Sequence, residues 1–73
     1  MKNEIYKILG KNIRRKRLAH DWTQQELAEK ISKSLNFVGK IEIGFSRPSL
    51  STVIDIAEAL EVPIKDLFDS ETT

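Results

Sequence analysis

The chain has 73 residues, 12 Lys and Arg against 11 Asp and Glu, one His and no Cys. A chain of this length builds one thin-cored domain, and without cysteine it has neither a disulfide nor a thiolate zinc site. No apolar run approaches the roughly 18–20 residues that span a bilayer, and the N-terminus has no signal-peptide h-region, so a cytoplasmic protein away from membranes is expected. The net charge of +1 hides a strong polarity. Residues 1–20 hold seven basic side chains (Lys2, Lys7, Lys11, Arg14, Arg15, Lys16, Arg17) against Glu4, and residues 51–73 hold six acids against Lys65. Such a molecule can turn a basic end toward a polyanion, although charge runs more commonly mark solvated helix faces.

Ile5, Leu9 and Ile13 recur every four residues and predict a first helix over about residues 3–19. Asp21 and Trp22 end it. Thr23 and Glu26 have the spacing of a capping box at the start of a second helix, with Leu27, Ala28 and Ile31 facing inward. Trp22 precedes this cap, and a hydrophobic staple onto Leu27 or Ala28 is preferred over stacking on a base. His20 has no partner cluster in the sequence and reads as a solvent-exposed residue at a helix end. Ser34 caps a third helix that ends near Gly44.

Pro48 disfavours helix at Arg47 and marks a loop. Ser49 then caps a fourth helix whose inner stripe is read as Leu50, Val53, Ile54, Ala57 and Leu60. Pro63 opens a short fifth helix with Ile64, Leu67 and Phe68. The expected fold is all-α, a compact five-helix bundle. It forms a single domain over residues 1–69, with a frayed polar tail at 70–73.

Only residues 32–34 or so separate the second and third helices, which forces a sharp turn and gives a helix-turn-helix over about residues 23–43. On a wheel of about 100° per residue, Val38, Ile41 and Glu42 fall on one side of the third helix, with Phe37 at the margin. Asn36, Gly39, Lys40 and Ile43 fall on the other, and Leu35 lies between. The outward group suits a major groove: Asn36 can pair with adenine, Lys40 can donate to guanine or a phosphate, and Leu35 can touch a thymine methyl. Gly39 weakens a helix interior by about 0.5–1 kcal/mol relative to Ala. Its two readings are close helix packing and clearance for a partner, and the wheel favours clearance. Arg14 and Lys11 are candidate phosphate contacts on the first helix.

The stretch "TQQELAEKISKSLNFVGKIEIGFSRPSLSTVIDIAEALEV", residues 23–62, with "LGKNIRRKR" upstream, resembles the phage-repressor/Cro-like (XRE-type) helix-turn-helix family. The resemblance rests on I-R-x-x-R in helix one, T-Q-x-E-L-A, S-x-x-x-V-x-K-I-E-x-G and x-P-S, and covers most of the chain. It implies a transcriptional regulator that binds double-stranded DNA, commonly as a homodimer on a near-palindromic operator. By position, the resemblance makes Gln24 the phosphate anchor at the start of helix two, assisted by Thr23. It makes Leu35, Asn36 and Lys40 base readers, and Ser34, Phe37 and Arg47 flanking or backbone contacts. It also implies a structural ion pair between Arg17 and Glu42. Two departures stand out: Ser32 where the turn usually has Gly, and the apolar Ile43 and Phe45 where polar or basic residues are common. Phe45 has three readings, under the loop, against a sugar, or in a dimer contact.

Ile56, placed off the helix-four stripe, is expected to join Leu67 and Phe68 in a self-complementary dimer patch. The acidic face with Asp55 and Glu58 offers a surface for RNA polymerase. A repressor, a restriction–modification controller and an antitoxin would share these features. The alternative is an interaction module that keeps the fold and binds a protein through Leu35, Ile43 and Phe45. No nucleophile–base pair, metal ligand set or phosphate loop appears, so neither enzymatic activity nor a cofactor is expected.

Overall fold

The computed structural model describes residues 4–70, so Asn3 and all of the expected tail except Ser70 lie outside the described residues. Four α-helices run in the order α1 (Glu4–Ala19), α2 (Gln24–Lys30), α3 (Leu35–Glu42) and α4 (Leu50–Leu60), followed by a 3-10 helix over Ile64–Phe68. The fifth piece is thus tighter than the α-helix expected. Its residues follow Pro63, which supplies no side-chain cap, and Asp66 donates its amide to the Pro63 carbonyl at 3.0 Å, a three-residue step. Among the described residues there is no strand, and no helix is long and apolar enough to cross a membrane.

The start of each internal helix follows its capping residue. Thr23 Oγ1 accepts from the Glu26 amide at 3.1 Å while Glu26 Oε1 accepts from the Thr23 amide at 2.8 Å, closing the capping box. Ser34 and Ser49 accept from the amides of Phe37 and Thr52 at 3.0 and 3.2 Å. The helix ends share a device that the sequence shows only in part. Asp21, Ser32, Gly44 and Glu61 all adopt left-handed backbone, with φ of 63°, 57°, 81° and 60°. Around each, two amides fold back onto the last helical carbonyls, as where Ser32 and Lys33 donate to Glu29 and Ala28 at 3.3 and 2.9 Å. These are Schellman closures, for which glycine is the usual choice.

The core gathers Leu9 and Ile13 from α1, Leu27 and Ala28 from α2, and Val38 and Ile41 from α3. Val53, Ile56, Ala57 and Leu60 from α4 join them, with Ile31 after α2 and Leu67 from the 3-10 helix. Two expectations are corrected here. The inner stripe of α4 includes Ile56, whereas Leu50 and Ile54 face solvent. Apolar residues cover more than half of α4, so periodicity alone permits both registers. Ile56 and Leu67, expected in a dimer patch, are 1 % and 0 % exposed; they fill the core and offer nothing to a second copy, and Phe68 packs half-buried against them.

Gly10 and Asn12 help organise this core without having been singled out by pattern, and His20 differs from its expected place. Gly10 sits where α1 crosses the end of α3: a Cβ there would lie 2.3 Å from the Ile41 carbonyl oxygen and 2.6 Å from that of Glu42. Asn12 is buried and donates through Nδ2 to the carbonyls of Leu67 and Asp69 at 3.0 and 2.9 Å, while its Oδ1 accepts from Arg15 at 3.0 Å. It therefore ties the 3-10 helix to α1. His20 is half-buried instead of solvent-exposed. Its ring stacks on Trp22 with centroids 4.3 Å apart, and Nε2 lies 2.8 Å from the Leu60 carbonyl, which only accepts and so fixes a proton on Nε2. Trp22 packs against the core beneath Lys30, whose Nζ is 4.5 Å from the ring centroid.

Two substitutions separate backbone strain from packing. Ser32→Gly relieves a left-handed conformation costing about 1–2 kcal/mol while loosening the unfolded chain by about 0.4–1 kcal/mol. Urea unfolding should therefore show a net gain of about 0.5–1 kcal/mol. Gly10→Ala drives a methyl into backbone that cannot swing away and should lose about 1–3 kcal/mol or more.

Candidate nucleic-acid interface

α3 is an eight-residue helix, too short to persist alone, so its orientation comes from what holds its inner face. Val38 and Ile41 enter the core. Beside them the buried Glu42 meets the buried Arg17 of α1 in a two-pronged contact, Nε to Oε2 at 2.7 Å and Nη2 to Oε1 at 3.0 Å. Arg17 Nη1 also donates to the Trp22 carbonyl at 2.7 Å, before α2, and Gln24 Nε2 donates to Glu42 Oε1 at 2.9 Å. One carboxylate thus fastens α1, the start of α2 and the end of α3 together. Hydrogen bonding to Glu42 raises the Arg17 pKa further above its already high ordinary value; burial opposes this and the carboxylate charge reinforces it. No described buried side-chain nitrogen or oxygen is left without a partner.

The opposite face of α3 is open. Leu35, Asn36 and Lys40 are exposed, and Asn36 has no hydrogen-bond partner among the described residues. Gly39 lies between them. A Cβ there would meet only Gln24 Oε1, at an ordinary 3.7 Å, so no helix packing demands glycine. Gln24 is half-buried beside this face, with one amide hydrogen committed to Glu42. Ser34 is exposed at the helix start, and Phe37 is half-buried against the core with Lys33 Nζ 5.2 Å from its centroid. Thr23 is exposed, and its hydroxyl oxygen is committed to the cap.

Ile43 and Phe45 continue the open surface past the end of α3, 73 % and 72 % exposed. Phe45 therefore does not fold under the loop. Lys40 Nζ stands 5.9 Å from its ring centroid, and the Arg47 guanidinium is 5.3 Å from the ring of Tyr6. Arg14 is placed differently: with Lys11, Arg15 and Leu18 it lines a shallow depression on α1. The structure thus brings Gln24, Ser34, Leu35, Asn36, Gly39 and Lys40 together, and Arg14 stands exposed on α1 beside Lys11 and Arg15. Among the described residues no cluster of His, Asp or Glu could hold a metal ion.

Comparison with known proteins places this arrangement. The model of the helix-turn-helix family matches residues 13–67. A transcriptional regulator of uncharacterised role from the ATPase CF(0) region of Rhodospirillum rubrum is 40% identical over 60 residues, 82% of this chain and 56% of the relative. The chain therefore spans little more than half of that relative's length. Among solved structures, the restriction-modification controller protein C.AhdI from Aeromonas hydrophila superposes with a TM-score of 0.85 at 27% identity, over 90% of this chain and 96% of its own. The hypothetical transcription factor NHTF from Neisseria gives 0.85 at 28% identity over 89% and 75% of the two chains. The clp gene regulator ClgR from Corynebacterium glutamicum gives 0.83 at 25% identity over 86% and 67%.

The buried pair sets a sharp expectation for stability. Removing one partner leaves a buried charge uncompensated, at a cost of about 3–5 kcal/mol, comparable with the whole stability of many domains. Arg17→Ala or Glu42→Ala should be largely unfolded in thermal circular dichroism, while Arg17→Met with Glu42→Leu should retain a cooperative transition. Equal loss in the single variants and in the apolar double variant would show that the ion pair and its hydrogen bonds are required in their own right, and that an uncompensated charge is not the main cost.

Proposed function

The chain belongs to the XRE-type helix-turn-helix family of DNA-binding transcriptional regulators, and we propose that its α3 enters the major groove of double-stranded DNA as the reading element. The observation that carries this is the asymmetry of α3: its inner face is pinned by the core and the Arg17–Glu42 pair, while Asn36 and Lys40 stand exposed on the outer face. An exposed Asn side chain offers adjacent donor and acceptor atoms to an adenine edge. Lys40 donates to guanine or a phosphate, and Leu35 covers a thymine methyl. Gly39 lets the helix approach closely, since nothing within the protein requires a glycine there.

Backbone contacts frame this reading. The second amide hydrogen of Gln24 is free to reach a phosphate while the first steadies Glu42. Thr23 and Ser34 bring hydroxyl donors at the starts of α2 and α3, Phe37 a ring edge, and Arg47 a cation in the following loop. Such contacts fix register without selecting sequence. Arg14, exposed on α1 beside Lys11, adds long-range attraction.

A two-fold dimer fits the surface that α4 leaves open. Leu50 and Ile54, one helical turn apart, are 66 % and 41 % exposed, and Ile64 in the adjoining 3-10 helix is exposed as well. These residues replace Ile56 and Leu67 as the apolar contact, and the two copies of α3 would stand about 34–36 Å apart, one turn of DNA. The match to C.AhdI over nearly all of both chains supports a regulator of the restriction–modification controller type. A second reading, protein binding through Leu35, Ile43 and Phe45, draws on the exposure of all three. It predicts no binding to mixed duplex below about 0.1 mM at low salt, weaker than ordinary non-specific contact.

Selection from random duplex DNA should return a near-palindromic site. Against that site, Asn36→Ala should lose about 1–3 kcal/mol of discrimination at one base pair per half-site. An equal loss on preferred and random duplex would remove Asn36 from base reading. In sedimentation equilibrium, Ile54→Lys should shift the protein to monomer and weaken operator binding while leaving the fold intact; an unchanged mass would refute the α4 interface.

A further inference from the structure

The loop after α3 begins at Gly44, and a Cβ there would lie 2.9 Å from Lys7 Cγ and 3.1 Å from Lys7 Cα. The loop backbone therefore runs directly against α1. Phe45 and Ser46 both donate their amides to the Lys40 carbonyl, at 3.0 and 3.2 Å. The bend is held from two sides, by the end of α3 and by the first half of α1. What this fixed bend presents is the Phe45 side chain, 72 % exposed. No internal packing explains a large ring held there.

The surroundings of that ring are cationic. Lys40 stands over it from α3. Arg47 follows two residues on, against Tyr6 of α1. Lys7 is exposed with its stem beside Gly44, and among the described residues it has no hydrogen-bond or ion-pair partner. A rigid apolar plate rimmed by basic side chains from α1, α3 and the loop complements a deoxyribose with its phosphate: the sugar has an apolar face and the phosphate a full charge. Lys40 belongs equally to the outer face of α3, so the plate is continuous with the reading surface.

We infer that Lys7 and Phe45 form, with Lys40, a clamp for one sugar–phosphate unit on the strand flanking the groove that α3 enters, extending the DNA interface onto α1. This rests on the DNA-binding reading above. The clamp divides labour in a way that can be measured. Lys7 neutralises a phosphate and so displaces a counterion, whereas Phe45 displaces only water from the sugar. Both contacts are blind to sequence.

The test is the salt dependence of binding of the full chain to a random-sequence duplex and to a selected site. Lys7→Gln should reduce the slope of log K against log salt by about 0.9 and weaken both duplexes by about five- to tenfold near 0.1 M salt. Phe45→Ser should weaken both duplexes at every salt concentration and leave the slope unchanged. Lys65→Gln, on the 3-10 helix, is the control expected to change neither. Both clamp residues are exposed, so thermal unfolding should match the parent protein. A parent that binds with Lys7→Gln keeping its slope and affinity overturns the clamp alone. A parent that binds no duplex even at low salt overturns the DNA reading on which the clamp rests.

Discussion

The rest of the structure depends on one carboxylate. Glu42 receives two hydrogen bonds from Arg17 and one from Gln24, joining three helices at one point inside a chain whose core is small. Burying two charges gains little stability over an apolar pair of the same shape. Its value here is geometric. A fork-shaped guanidinium accepts a carboxylate in few orientations, and the Nη1 bond to the Trp22 carbonyl fixes the third prong. An apolar contact between Ile41 and its neighbours would tolerate a small rotation of α3. The ion pair does not, and a rotation of one residue would replace Asn36 and Lys40 by different side chains on the open face.

Rigidity at that point is needed because the elements it joins are so short. α2 has seven residues and α3 eight, well under the dozen or so at which isolated helices begin to persist. Their existence is a tertiary effect, delivered through caps at their starts and left-handed closures at their ends. Only one of the four closures uses glycine, and the reason is local. At Asp21, Ser32 and Glu61 a side chain is tolerated at the price of strain, whereas at Gly44 it would also meet Lys7. The sharp turn through Ser32 makes the angle between α2 and α3, and the strain stored there is offset by Leu27, Ala28 and Ile31 in the core.

These features explain which parts of the molecule could be read in advance. Helix starts were legible because a cap is a local pattern: Thr23 with Glu26, Ser34 and Ser49 each sit where their side chains accept the expected amides. The facing of α3 was legible because Val38 and Ile41 share one side of the wheel and Asn36 and Lys40 the other, although the exposed Leu35 and Ile43 blur the division. α4 was not, because Leu50, Ile54 and Ile56 are equally apolar and only contact with the rest of the core chooses between them. The same ambiguity put Ile56 on a surface it does not occupy, and Leu67, in the short 3-10 helix, has too few neighbours in sequence for periodicity to show its buried side. Gly10, Asn12 and His20 were opaque for another reason. Their roles are defined by carbonyl oxygens of Ile41, Leu67 and Leu60, partners 31, 55 and 40 residues away, and no spacing within one helix reports them.

The distribution of charge completes the account of the proposed interface. α2 carries an acid in its first turn, Glu26, which its capping box requires. α3 begins with a neutral cap, Ser34, and has no acid in its first turn. The only acid in α3 is Glu42, buried and matched by Arg17. An exposed carboxylate at this end would oppose a phosphate and cancel part of the positive pole that a helix start presents. Removing acids from the open face of α3, while placing Asp55, Glu58 and Glu61 on and after α4, gives the molecule direction despite a net charge of +1. Exposed apolar side chains on the same face then carry no electrostatic penalty. Leu35, Ile43 and Phe45 release water only when something covers them, so they add to affinity without attracting partners from a distance. Attraction falls to the cations around them, and the division between steering charge and contact surface is built into neighbouring residues of one loop and one helix.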